Sequence, residues 1–154
     1  MKRNLLYNLS AEGGGKRKFS VTEPYQEKRS FLMSAEAPVF DDAARTVELS
    51  FSSETVVGRW FGEEILVHSA EAIDFSRLNG GHPLLLNHEV EDQIGVVVRA
   101  WLDESTRKAR AVVKFSKAAD AEEIWQDVKD GIRGLVSVGY TVTSWQTEDT
   151  NGDG

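Results

Sequence analysis

Polar and apolar residues alternate without a break at 46–51. Val47, Leu49 and Phe51 fall on one side, and Thr46, Glu48 and Ser50 on the other. A period of two sends successive side chains to opposite faces, so this stretch predicts a half-buried strand. Residues 29–33 read as a strand before it, with Asp41-Asp42 in the turn region between them. A hairpin is predicted from 94–102 and 108–115, joined by the polar turn Asp103-Glu104-Ser105-Thr106. On its second strand Ala109, Ala111, Val113 and Phe115 share one face, while Lys108, Arg110 and Lys114 take the other. The pattern changes period at 118–129. There Ala121, Ile124, Trp125 and Val128 form a stripe at spacings of three and four, the mark of an amphipathic helix. Asp120 and Glu123 have the spacing of a capping box, and Gly131 is placed to end the helix in a left-handed conformation.

Shorter elements fill the middle of the chain. Residues 64–68 read as a short strand and 69–78 as a brief helix. Ser69 would cap that helix, Ile73, Phe75 and Leu78 would supply its apolar side, and Gly80-Gly81 would stop it. An apolar run at 83–88 ends in Asn87-His88, and 135–145 forms a final strand. No internal repeat is present. Strands dominate, so the pattern predicts a mainly β fold with helices (α+β), a small barrel or sandwich with helices packed outside. The foldable part runs over 29–145. Residues 1–28 lack a hydrophobic period and hold Gly13-Gly14-Gly15, so they read as a flexible arm; 146–154 reads as a polar tail.

Charge sharpens this division. Residues 1–29 carry seven Lys/Arg against three Glu, or +4, and the remainder eleven against twenty-two, or −11. An acidic body argues against nucleic acid as a partner. No apolar run approaches the length of a membrane span, and the N-terminus lacks the apolar core of a signal peptide. The absence of cysteine excludes disulfide and thiolate chemistry and fits a reducing cytoplasm. The three histidines, His68, His82 and His88, lack the spacing of a zinc site, so no metal or other cofactor is expected.

The stretch GIRGLVSVGY at 131–140 carries the most chemistry. Alternation sets Val136, Val138, Tyr140 and Val142 on one face of a strand and Ser137 and Gly139 on the other. If the valine face is core, Ser137 faces a cleft or solvent. Gly139 leaves room for a substrate backbone beside it. Nucleophilic catalysis by a hydroxyl needs a base within hydrogen-bond reach and donors for an oxyanion. His88, at the end of an apolar run, is the candidate base, and Asn87, Glu89, Glu91 or Asp92 could orient it. Arg133 and nearby backbone N–H groups are the candidate donors. The bland alternative is a small polar filler in a sheet, within a β-rich domain of unrelated function.

The order of Pro83-Leu84-Leu85-Leu86-Asn87-His88, Ile94-Gly95-Val96-Val97, Phe115-Ser116 and Asp130-Gly131-Ile132-Arg133-Gly134-Leu135-Val136-Ser137-Val138-Gly139-Tyr140 resembles the prohead serine proteases of tailed phages. The likeness covers about 29–145. It implies His88 as base, Ser137 as nucleophile and a herpesvirus-assemblin-like fold, a small closed or partly open β-barrel flanked by helices. It also implies an endopeptidase that cuts scaffold or capsid-protein extensions inside the immature capsid, in the bacterial host or from a prophage. Self-association is a further expectation. Two departures from the family accompany the match. No histidine follows His88, so the third catalytic residue is an unassigned acidic group unless His68 or His82 substitutes. The chain also ends at Gly154, before the family's further strand, which reads as a truncated or split product. That ending favours the alternative, a non-enzymatic or inactive capsid-assembly module of the same fold.

Overall fold

The computed structural model describes residues 2–8, 25–32, 37–59 and 62–148. Two five-stranded sheets form. The first contains β1 (Lys2–Asn8), β2 (Tyr25–Leu32), β5 (Val57–Arg59), β6 (Gly62–Leu66) and β10 (Leu135–Glu148), in the order β2-β10-β1-β6-β5. The second contains β3 (Val39–Asp41), β4 (Thr46–Ser53), β7 (Pro83–Leu85), β8 (Gln93–Asp103) and β9 (Lys108–Phe115), in the order β3-β4-β9-β8-β7. All strand pairs are antiparallel except β1 with β10.

The alternating patterns explain why these strands share a core. Val47, Leu49 and Phe51 of β4 are buried, as are Ala109, Ala111, Val113 and Phe115 of β9. From the other sheet come Leu66, Val138, Tyr140 and Val142. The helix α2 (Ala119–Lys129) adds the stripe Ala121, Ile124, Trp125 and Val128 to the same cluster. Trp125 is 1% exposed and packs edge-on to Phe40 and tilted against Phe115, with the Arg45 guanidinium 5.6 Å above its ring. Arg45 also donates to Glu122 and to the Ser116 carbonyl, so the start of α2 is held to the turn before β4. β9 lies close along β8 at Gly95, where a Cβ would collide with the Lys114 carbonyl oxygen.

Four expectations need correction. Of the expected alternatives, barrel or sandwich and closed or partly open, the closed barrel does not form among the described residues: the edge strands β2 and β5, and β3 and β7, do not pair with one another. Each sheet instead buries one face in the common core, which satisfies its apolar side without closure. The arm reading fails at 2–8 and 25–28, which belong to strands. Their backbone groups pair with β10 and β6, and such pairing needs no hydrophobic period. The remainder of that segment, like 149–154 of the tail, lies outside the described residues. The helix expected at 69–78 shrinks to α1 (Ser76–Asn79), ended by Gly80. Ala72 and Ile73 are buried ahead of it, and Asp74 accepts from the Ser76 N–H at 2.8 Å, so the segment turns onto the core and restarts. The Asp120/Glu123 capping box does not form. The extended Ala118 is the N-cap, and no side chain caps the helix.

Candidate functional site

His88 comes from the loop between β7 and β8. Three backbone hydrogen bonds close that loop: Glu89 N–H to the Leu86 carbonyl at 2.9 Å, Asp92 N–H to Glu89 at 3.1 Å, and Leu86 N–H to Asp92 at 2.9 Å. The first spans a turn whose two central residues, Asn87 and His88, have φ of 51° and 63°. That is the type I′ pattern, in which both central positions favour glycine or asparagine. Asparagine suits its position. Histidine there is held in a conformation that L side chains rarely adopt, and such strain collects at functional sites.

Ser137 comes from β10. The chain leaves α2 through Gly131, at φ 73°, with the N–H groups of Ile132 and Arg133 both donating to the Asp127 carbonyl. The strand then alternates as its sequence predicts. Val138, Tyr140 and Val142 are buried and Val136 packs against the core, whereas Leu135 and Gly139 are exposed and Ser137 is half-buried. A Cβ at Gly139 would meet nothing within 4 Å, so the strand face beside Ser137 is open.

The two residues meet: His88 Nε2 lies 2.5 Å from Ser137 Oγ. With the imidazole neutral at Nε2, the hydroxyl donates and the ring accepts, the geometry in which a base removes the serine proton. Both side chains are half-buried, so the pair is supported by protein and reachable from solvent. Arg133 lies on the approach to β10, with its Nε donating to Asp127 Oδ2 at 2.9 Å. Glu89, Glu91 and Asp92 are exposed on the His88 loop.

The other histidines do different work. His68 is 1% exposed; its Nδ1 is 2.6 Å from the Leu66 carbonyl and its Nε2 3.0 Å from Ser52 Oγ. A carbonyl only accepts, so Nδ1 carries a proton and a neutral ring accepts from Ser52 at Nε2. This second Ser–His contact is shut inside the core, where no substrate reaches it. Alternation held its signal: Glu64, Leu66 and His68 share one parity, and all three are buried. Glu64 accepts from the Tyr140 hydroxyl at 2.9 Å, tying β6 to the strand that carries Ser137. His82 is half-buried before β7, and burial, then the charge of Arg77, holds its pKa below the usual histidine value. Among the described residues no three His, Asp or Glu side chains converge as a metal site would require.

No protein-family model matches the chain, and no solved structure does. Over an alignment of 108 residues, which covers 68% of the chain, the sequence is 51% identical to the major capsid protein of Halomonas phage phiHAP-1. The match covers 18% of that protein, so the chain is similar to a segment of a phage capsid protein and spans under a fifth of its length.

Proposed function

We propose that the chain is a serine endopeptidase domain of phage capsid maturation. The observation that carries this reading is the reachable contact between His88 Nε2 and Ser137 Oγ. In the reaction, Ser137 Oγ attacks the scissile carbonyl as its proton passes to His88 Nε2. The C–N bond then breaks, and His88 returns the proton to the leaving amine. Water, deprotonated by the same ring, hydrolyses the acyl-enzyme and frees Ser137. Backbone N–H groups near Ser137, with Arg133 anchored to Asp127, are the oxyanion donors in this reading, and Gly139 gives the substrate backbone room. The herpesvirus-protease-like fold belongs to the same proposal.

The similarity to a capsid protein supports the setting. If 108 residues are 18% of that relative, its length is 108/0.18, roughly 600 residues. Such a chain has space for a shell-forming part besides the matching segment. The substrates proposed are accordingly scaffold or capsid-protein extensions, cut inside the immature particle. A second reading is a capsid-assembly module without catalysis, and the name of the relative favours it. A small fluorophosphonate separates the two. Labelling that disappears in both Ser137→Ala and His88→Ala supports the protease, while a folded wild-type protein that resists labelling supports the module.

A further inference from the structure

Six large hydrophobic residues are exposed among the described residues, and three of them adjoin the His88–Ser137 pair in sequence. Val90 is 81% exposed on the His88 loop, and Ile132 is 71% exposed on the approach to β10. Leu135 is 72% exposed, on the same strand and the same face as Ser137. Exposed apolar residues scattered singly are ordinary, but Leu135 shares its strand face with Ser137, one side-chain position away. On the other side of Ser137, Gly139 presents open space.

Spacing says what Leu135 would touch. Leu135 and Ser137 are two residues apart on a strand, about 7 Å at the usual rise of about 3.4 Å per residue. A peptide lying extended beside β10 has the same rise. The side chain it sets against Leu135 is therefore two residues from the carbonyl at Ser137. That side of β10 has room: strand pairing with β1 begins at Thr141, and 135–139 meet no strand there among the described residues. Glu89, Glu91 and Asp92, exposed on the His88 loop, disfavour an acidic peptide by like-charge repulsion.

We infer that the site selects an extended peptide with a bulky apolar side chain two residues from the bond it cuts, received by Leu135. This rests on the protease reading. Leu135 acts on substrate choice and takes no part in the proton transfer.

The test uses the full chain, a mixed-sequence library of internally quenched peptides, and diisopropyl fluorophosphate as a separate probe of Ser137. The wild type should enrich Leu, Ile, Val or Phe two residues from the cut. Leu135→Asp should reduce that preference about tenfold or more, the usual worth of one apolar contact, and should favour Lys or Arg there. Leu135→Ser should shift it the same way to a smaller extent. A wild type that is neither labelled nor active overturns the protease reading and this inference with it. A labelled, active wild type whose preference is unchanged in both variants overturns the inference alone. So does concentration-dependent self-association that Leu135→Asp abolishes while cleavage preference stays the same, since Leu135 then joins copies of the chain.

Discussion

His88, on a loop of the second sheet, and Ser137, on a strand of the first, stand 49 residues apart in sequence, yet Nε2 and Oγ are 2.5 Å apart. The loop between β7 and β8 reaches from the second sheet to β10 of the first. A general base placed in this way contributes about 10²–10⁴-fold. His88→Gln should therefore slow fluorophosphonate labelling of Ser137 by about that factor, and Ser137→Ala should remove it. Labelling rates, followed by mass spectrometry on protein of unchanged circular dichroism, check both.

The turn that aims His88 is predicted to cost stability. His88→Ala and His88→Gly both delete the imidazole, but only glycine relaxes at φ 63°. The glycine variant should be more stable than the alanine variant by about 1 kcal/mol, the lower end of the left-handed penalty. Urea unfolding midpoints measure the difference, and both variants should lose labelling. Equal midpoints would show that the turn holds no backbone strain.

The buried pair Ser52 and His68 should behave oppositely. Ser52→Ala removes a hydroxyl that is 0% exposed and leaves His68 Nε2 short of that donor. The cost expected is about 0.5–1.5 kcal/mol, the net worth of one hydrogen bond. Labelling of Ser137 should proceed at the wild-type rate once the protein is folded. Thermal melts and the same mass-spectrometric assay distinguish the two Ser–His contacts.

Acid sensitivity should trace partly to Glu54. The hydrogen bond from Arg107 is the largest influence holding its carboxyl below the ordinary 4.5, and the His68 backbone N–H adds to it. A carboxyl depressed in the folded state adds stability above its unfolded pKa and loses it as pH falls through the folded one. Wild type should therefore exceed Arg107→Gln in stability at pH 7, by a small margin for so exposed a pair. The gap should close as pH drops below 4.5, read from urea midpoints across that range.

Periodicity made much of this fold legible. The hairpin of β8 and β9, the α2 stripe and the left-handed Gly131 follow from residues close in sequence, because side-chain direction repeats every two or every 3.6 residues. The same rule placed Ser137 opposite its valines. It also held the burial of Glu64 and His68, which a strand ending at His68 implied. The parallel pairing of β1 with β10 was not legible, since backbone hydrogen bonds leave no apolar pattern at 2–8. The choice between the barrel and the sandwich that the pattern left open was not legible either; two unclosed sheets over one core decide it.

The sequence by itself determined which residues could react and which way Ser137 faces on its strand. Only the tertiary structure decided which serine meets which histidine. Among the described residues two such contacts form, Ser137 with His88 and Ser52 with His68, and both are hydrogen bonds of ordinary chemistry. What separates them is burial. Ser52 is turned inward by the bulge in β4 between Ser50 and Ser52, and His68 follows β6 on the parity of Glu64 and Leu66; both are sealed in the core. The other pair joins a strained loop to the outward face of β10, where it is reachable from solvent. Local periodicity sets the parity of each residue. Which strands and loops come together depends on how two sheets and a helix bury one common core.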